Sequence, residues 1–419
     1  MTSELISLLM FSNQPVRGGA EEHILQLLRG LDRSRFRLHL ACPPELAALL
    51  RPDLPGDVEV VELTLDHLGD VAAACKLGRF IRQHRIQILH SHMFRASLFA
   101  SPVGWLSRVP VIVETDHVRE IWRTGWKAGY FIDRWAARFV DRIIAVSGAI
   151  ARYLVEDKGI PAAKVTVIRT AAALRRFAPD PDRTSGLRKS LGLADNDPLL
   201  VLVGRLEPQK GHKVLLQALP DLLREFPRMR VVFLGEGSLR AELEKEVARK
   251  GLQPAVRFAG YQTNVQDWLA VADLSVLPSF FEGLPMSAIE SLAMSCPMVA
   301  TAVDGTPEVV LDEKHGLLVP PGDPVRLAEA IGRMLRNPER AREMGRAGRD
   351  FVFEQLSVER LVQSTQQLYL DAWEHRRRRP AAAQETRADE HGTGENHPAS
   401  PVQVDTNASG ETVADKVIR

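Results

Sequence analysis

The sequence holds 419 residues, 45% hydrophobic and 26% charged, with 54 Lys plus Arg against 53 Asp plus Glu. That length is too great for one typical domain and suits two, and the composition is that of an ordinary soluble globular protein. A formal net charge of +1 gives no support for bulk nucleic-acid binding, and the absence of an apolar run of about eighteen residues predicts no transmembrane helix.

The amino terminus, MTSELISLLMFSN, has an apolar run but carries Glu4 and no basic start, and it reads as a first buried strand rather than a signal peptide. From there short apolar runs alternate with amphipathic stretches. RLHLACP, VEVVELTL, IQILHSH, VPVIVETDH, DRIIAVSG and KVTVI follow in the first half, with helical patterns at Glu21–Leu31 and Asp70–His84. The second half repeats the scheme with LLVLVGRL, MRVVFLGEG, VRFAGY, LSVLPS, PMVATAV and GLLVPPGD. Runs that are continuous rather than alternating are expected of parallel strands covered on both faces, so the fold class is α/β. The break lies near Phe177–Gly186, rich in Pro, Asp and Gly. Two Rossmann-like doubly wound domains facing across a cleft are expected, over residues 1–177 and 183–356. Cys42, Cys75 and Cys296 show no paired or metal-type spacing, which fits a reducing cytoplasm.

Ligands bind beyond the carboxyl ends of such strands, so the residues just after each run carry the functional candidates. After the first strand, Gly18 and Gly19 precede a helix; they either present bare N–H groups to a phosphate or make a plain turn, and they match neither the dinucleotide nor the P-loop pattern. His90 and His92 follow the fourth run and His117 the fifth. Each either donates to a substrate oxygen or is structural, and with no acidic residue at ligand spacing no zinc site is expected. In GRLEPQKG, Arg205 and Lys210 share one loop, as suits a diphosphate, with Gly211 allowing close approach; a solvated basic loop is the plainer reading. In SFFEGLPMSAIESLAMS, Glu282 sits at a strand end and Glu290 in a helix expected over Met286–Ser295. The N–H groups near Gly283, Leu284 and Met286 lie at that helix's amino end, a place for a hydroxyl-rich or anionic ligand flanked by two acceptors. The alternative is a helix-capping Glu282 and a solvent-facing Glu290. In AVDGTPEVV, Glu308 either adds an oxygen ligand or caps the next helix.

The segment Arg119–Arg142 holds three of the six tryptophans. Wound as a helix, it places Ile121, Ile132, Trp135 and Phe139 on one face, expected to be core. Trp122, Trp126 and Tyr130 lie on another, beside Arg119, Arg123, Lys127, Arg134 and Arg138, as an interfacial helix would. After Trp373 the chain turns polar and aperiodic, and disorder is expected over 376–419.

Together these elements resemble the retaining glycosyltransferases of family 4, of the GT-B two-domain fold, over the chain to about Trp373. The most specific part is the E-x7-E spacing of Glu282 and Glu290, with GRLEPQKG and DGTPE. The resemblance implies a nucleotide-diphosphate sugar donor, with Glu282 on the transferred sugar, Glu290 on the ribose, Arg205 and Lys210 on the diphosphate and His117 on the sugar. Gly18 and Gly19 would lie near the leaving phosphate, and the helix Val358–Trp373 would cross back to the first domain. It further implies hexosyl transfer with retention. No carboxylate is placed as a nucleophile on the far face, so front-side attack is expected, and the aromatic and basic side of Arg119–Arg142 points to a lipid-linked or envelope-glycan acceptor at a membrane surface. No metal and no cofactor is expected, because the two cations supply the electrostatic work. One departure stands out. Where the family carries Asn-Gly and then Asp after the interdomain strand, this chain has Thr170-Ala171-Ala172-Ala173, so a non-catalytic nucleotide-sugar scaffold, or an epimerase of the same fold, stays open beside the transferase.

Overall fold

A computed structural model describes residues 5–119, 130–174, 177–178, 180–184, 186–194 and 196–385. Every apolar run quoted above contains a strand. In the first domain these are β1 (Ile6–Phe11), β2 (Phe36–Cys42), β3 (Glu59–Glu62), β4 (Ile88–His92), β5 (Val111–Asp116), β6 (Arg142–Ala145) and β7 (Val165–Val167). In the second they are β8 (Leu199–Val203), β9 (Arg230–Leu234), β10 (Val256–Gly260), β11 (Leu274–Leu277), β12 (Met298–Thr301) and β13 (Gly316–Val319). The sheets run in the orders β3-β2-β1-β4-β5-β6-β7 and β10-β9-β8-β11-β12-β13, and all their pairings are parallel. Both are doubly wound, with the switch in strand order beside the first strand of each domain. The central strands are buried on both faces, and every residue of β1 and β11 is buried.

The helix Val71–Gln83 starts where Asp70 accepts the N–H of Ala73 at 2.9 Å. Two short helices, Pro181–Thr184 and Leu187–Ser190, occupy the stretch read above as a break. The last helix, Val358–Glu385, runs well past Trp373, so the residues just beyond 376 are helical rather than disordered. Residues 386–419 lie outside the described residues. This helix packs on the first domain: Leu361, Val362, Leu368, Tyr369 and Ala372 join the core under β1 and β2, and Tyr369 is fully buried against Phe36 and hydrogen-bonded to His90.

The departing segment is part of this packing. Thr170, Ala171 and Ala172 are buried, and Ala172 bridges Ser357, so the two chain crossings between domains run side by side. None of Thr170, Ala171, Ala172 or Ala173 adopts a positive φ. Alanine is therefore unstrained where an Asn-Gly turn would need left-handed backbone.

Among the described residues, no helix is long and apolar enough to cross a membrane. The helix Tyr130–Ala136 corrects the helical-wheel expectation. Tyr130, expected outward, is 7% exposed, while Ile132 and Trp135, expected in the core, are 41% and 43% exposed. Trp122 and Trp126 lie outside the described residues.

Candidate functional site

Lys210 and Glu282 meet at the carboxyl ends of β8 and β11. Lys210 Nζ stands 2.6 Å from Glu282 Oε1, with side-chain exposures of 14% and 7%. Ser279 Oγ donates to the same oxygen at 2.7 Å, and the Glu282 N–H donates to Asp304 Oδ2 at 2.9 Å. The loop between β8 and its helix is shaped by Gly211, whose φ of 66° is left-handed and where a Cβ would lie 1.9 Å from the Pro278 carbonyl oxygen. This contact brings the Lys210 loop against the chain leaving β11.

The first domain closes over that chain. A Cβ on Gly283 would stand 1.7 Å from the His117 carbonyl oxygen, so the backbone of the Glu282 loop lies directly on the end of β5. Gly18 caps the helix Gly19–Gly30, its N–H donating to Glu21 Oε2 at 3.0 Å. Gly19 lies against Met286, the first residue of the helix Met286–Ala293. Two helix amino ends thus face one another across the cleft, beside Lys210 and the exposed Arg205. Backbone N–H groups and dipoles of one sign, with two cations, make a place for an anion bearing several charges.

Glu21, not singled out from sequence, is buried at this point and also accepts from Ser12. Burial raises its pKa, against the opposing effects of the Gly18 N–H, Ser12 and the charge of Arg205. Its nearness to Arg205 spans the two domains, which no local sequence signal shows. Glu290 is half-buried on the second turn of Met286–Ala293, and Leu284 is buried beneath the loop. Glu308 reaches the other domain: Oε1 accepts the Ala149 N–H at 3.0 Å and Oε2 accepts from Arg169 at 3.1 Å. A donor contact at Glu308 would compete with these two. Arg119 extends toward Asp304, 3.7 Å away, and over the ring of Tyr153. Burial raises the Asp304 pKa.

The histidines of the strand ends come together with one the sequence reading passed over. His92 Nδ1 and His117 Nε2 are 3.2 Å apart, and the His23 ring stands edge-on to His117 at 4.9 Å. Nitrogens of His23, His92 and His117 all lie within 4.8 Å of one another, a spacing that one metal ion could bridge. Burial depresses the pKa of each, to about 4 for His23, so the cluster is neutral at pH 7. His90 is separately satisfied by Tyr369 and Thr115.

Residues 17–176 match the model of Glycosyltransferase Family 4, and residues 184–351 that of Glycosyl transferases group 1. The chain is 30% identical over 300 residues to a glycogen synthase of Mycobacterium tuberculosis, covering 70% of each protein. The chain belongs to this glycosyltransferase family. A second relative of the glycosyltransferase is the UDP-Gal:alpha-D-GlcNAc-diphosphoundecaprenol alpha-1,3-galactosyltransferase of Escherichia coli, 22% identical, covering 85% of this chain and 95% of that one. Its fold matches HepE of Anabaena, solved with UDP-glucose, at a TM-score of 0.77 and 20% identity, over 87% of this chain and 100% of that one. The two-domain architecture is therefore GT-B, and the protein is a transferase. In the glycosyltransferase the boundary between the two family models falls at the Pro181–Ser190 helices, and the site residues come from both sides of it.

Proposed function

We propose that the cleft binds a nucleotide-diphosphate sugar and transfers its hexosyl group, with retention, to a lipid-linked or envelope-glycan acceptor. The observation that carries the donor assignment is the Lys210–Glu282 pair, which places a cation and an acceptor 2.6 Å apart at adjoining strand ends under two facing helix amino ends. Arg205 and Lys210 hold the diphosphate and stabilise charge developing on the leaving phosphate. Glu282 accepts from sugar hydroxyls once Lys210 turns to the phosphate, and Glu290 accepts from the ribose. The Gly18–Gly19 end faces the leaving phosphate, and Gly283 and Leu284 offer backbone contacts. His117, held neutral, donates to or accepts from a sugar hydroxyl without adding charge. The leaving phosphate takes the acceptor's proton in a front-side attack, so positioning and electrostatics account for the enzyme's share, and neither metal nor cofactor is needed.

The acceptor class rests on the undecaprenol-linked substrate in the name of the Escherichia coli relative and on a surface of this chain. Trp105, Leu106, Phe131, Ile132 and Trp135 are all exposed, with Arg108, Arg134 and Arg138 among them. Exposed aromatics set among cations suit the cytoplasmic face of an anionic membrane. The experiment is a thermal-shift screen of nucleotide sugars, followed by NMR of the product's anomeric configuration. A donor at about 100 times its Kd adds roughly 2.7 kcal/mol of stability. No stabilisation by any nucleotide sugar refutes the donor reading, and an inverted product refutes retention.

A further inference from the structure

A second cluster of ligand-type side chains lies at the other end of the first sheet, away from the cleft. His39 is on β2, Glu59 opens the edge strand β3 in register with it, and His84 follows the helix Val71–Gln83. His39 Nδ1 is 3.1 Å and His84 Nδ1 3.2 Å from the same carboxylate oxygen, Glu59 Oε2. The three ligand atoms lie within 4.8 Å of one another.

His39 is 1% exposed, and its distal nitrogen Nε2 is held by Ser7 Oγ at 3.0 Å, which leaves Nδ1 turned toward the Glu59 carboxylate. That nitrogen is buried, and its approach to the carboxylate falls short of hydrogen-bond geometry. A cation shared by the two imidazoles and the carboxylate would satisfy it.

We propose that His39, Glu59 and His84 bind one divalent transition-metal ion, with zinc the best match. Two imidazoles and one carboxylate are a zinc donor set, and at bond lengths of about 2.1 Å tetrahedral ligand atoms are about 3.4 Å apart. The two contacts to Glu59 are already near that spacing. The second coordination layer is also present: Ser7 fixes the distal nitrogen of His39, and Phe80 stacks on His84 at 4.1 Å with its edge toward His39. The exposed side of Glu59 leaves a position for water. The ion would tie the edge strand β3 and the end of Val71–Gln83 to β2, making it a structural rather than a catalytic site. Arg37, whose charge opposes protonation of His39 as that of His84 does, would also oppose the ion.

The test uses the chelator-treated full chain, loaded with Co2+ for its visible spectrum and with Zn2+ against a chromophoric chelator. H84A and E59Q alter partly exposed groups, and H92A serves as the control for the cleft histidines. Wild type and H92A should take up a tetrahedral Co2+ at this site and gain several degrees in Tm with zinc. H84A and E59Q should each lose one equivalent and that gain, with donor turnover unchanged. Wild type that takes up no ion, or uptake that survives in H84A and E59Q while H92A abolishes it, overturns the proposal.

Discussion

The Lys210 ammonium and the Glu282 carboxylate form a pair in which neither group is well solvated, at 2.6 Å. Removing one partner strands the other: Glu282 would keep Ser279 but lose its counter-charge. Lys210→Ala should therefore cost stability as well as transfer. The two costs separate in a double variant. Lys210→Ala with Glu282→Gln should recover most of the lost stability in urea unfolding, while turnover stays down by the equivalent of roughly 2–4 kcal/mol in transition-state stabilisation. Unchanged kcat/KM in Lys210→Ala would remove the phosphate role.

Gly283 supplies a test of domain closure that leaves each domain's core untouched. A Cβ there would come 1.7 Å from the His117 carbonyl, so Gly283→Ala should hold the two domains apart. The expected outcome is a larger radius of gyration in small-angle scattering and a weakened donor response, with near-normal unfolding. A radius equal to wild type would show that the loop can shift to accommodate a methyl group.

The Glu308 latch is a milder version of the same contact. Its carboxylate joins the second domain to the Ala149 N–H and to Arg169 of the first. Glu308→Ala should cost about 1 kcal/mol of domain association, since the Arg169 partner is half exposed. A wider distribution of interdomain distances, read by paired spin labels, checks this, and an unchanged distribution counts against it.

The strands were readable in advance because a parallel sheet buried on both faces demands unbroken apolar runs, as in LLVLV of β8. Strand-end residues such as Lys210 and Glu282 were readable for the same reason, since a strand's end is visible in the chain. Their direct pairing was not, because 72 residues separate them. Glu21, His23 and Asp304 were missed because their partners belong to distant elements: Arg205 for Glu21, His117 for His23 and Arg119 for Asp304. The wheel over Arg119–Arg142 failed because the described helix Tyr130–Ala136 turns Tyr130, Asp133 and Ala136 inward and leaves Ile132 and Trp135 exposed, a choice of face that apolarity alone does not set.

Acid should destabilise the fold through the cleft histidines. His23 is fully buried with its pKa lowered from 6.5 to about 4, so below pH 6.5 the unfolded chain takes up a proton that the folded chain refuses. Stability is complete above pH 6.5 and falls as pH drops toward 4, by roughly 3 kcal/mol from this group. His92 and His117, lowered in the same direction, steepen the loss. Urea midpoints from pH 7.5 to 4.5 measure the slope, and His23→Gln should flatten it. An equal slope in that variant would place the acid sensitivity elsewhere.

The exposed aromatic surface carries the membrane prediction. Trp105 is 57%, Leu106 72% and Phe131 64% exposed, and Trp105 and Trp135 both stand edge-on to Phe139, which ties the two helices' apolar residues into one patch. Arg108, Arg134 and Arg138 are exposed around it. Water solvates such a patch poorly, whereas the headgroup region of a bilayer accepts aromatic rings and pairs guanidinium groups with lipid phosphates. Each such cation adds about 1 kcal/mol at an anionic surface and loses most of it when salt shortens the Debye length. The protein should float with vesicles containing anionic lipid at low salt, far less at high salt, and little with zwitterionic vesicles. Phe131→Ser with Trp135→Ser should abolish flotation while leaving nucleotide-sugar stabilisation intact, because both side chains point away from the core. Wild type that stays with the soluble fraction at low salt would point to a soluble acceptor and leave the donor cleft assignment standing.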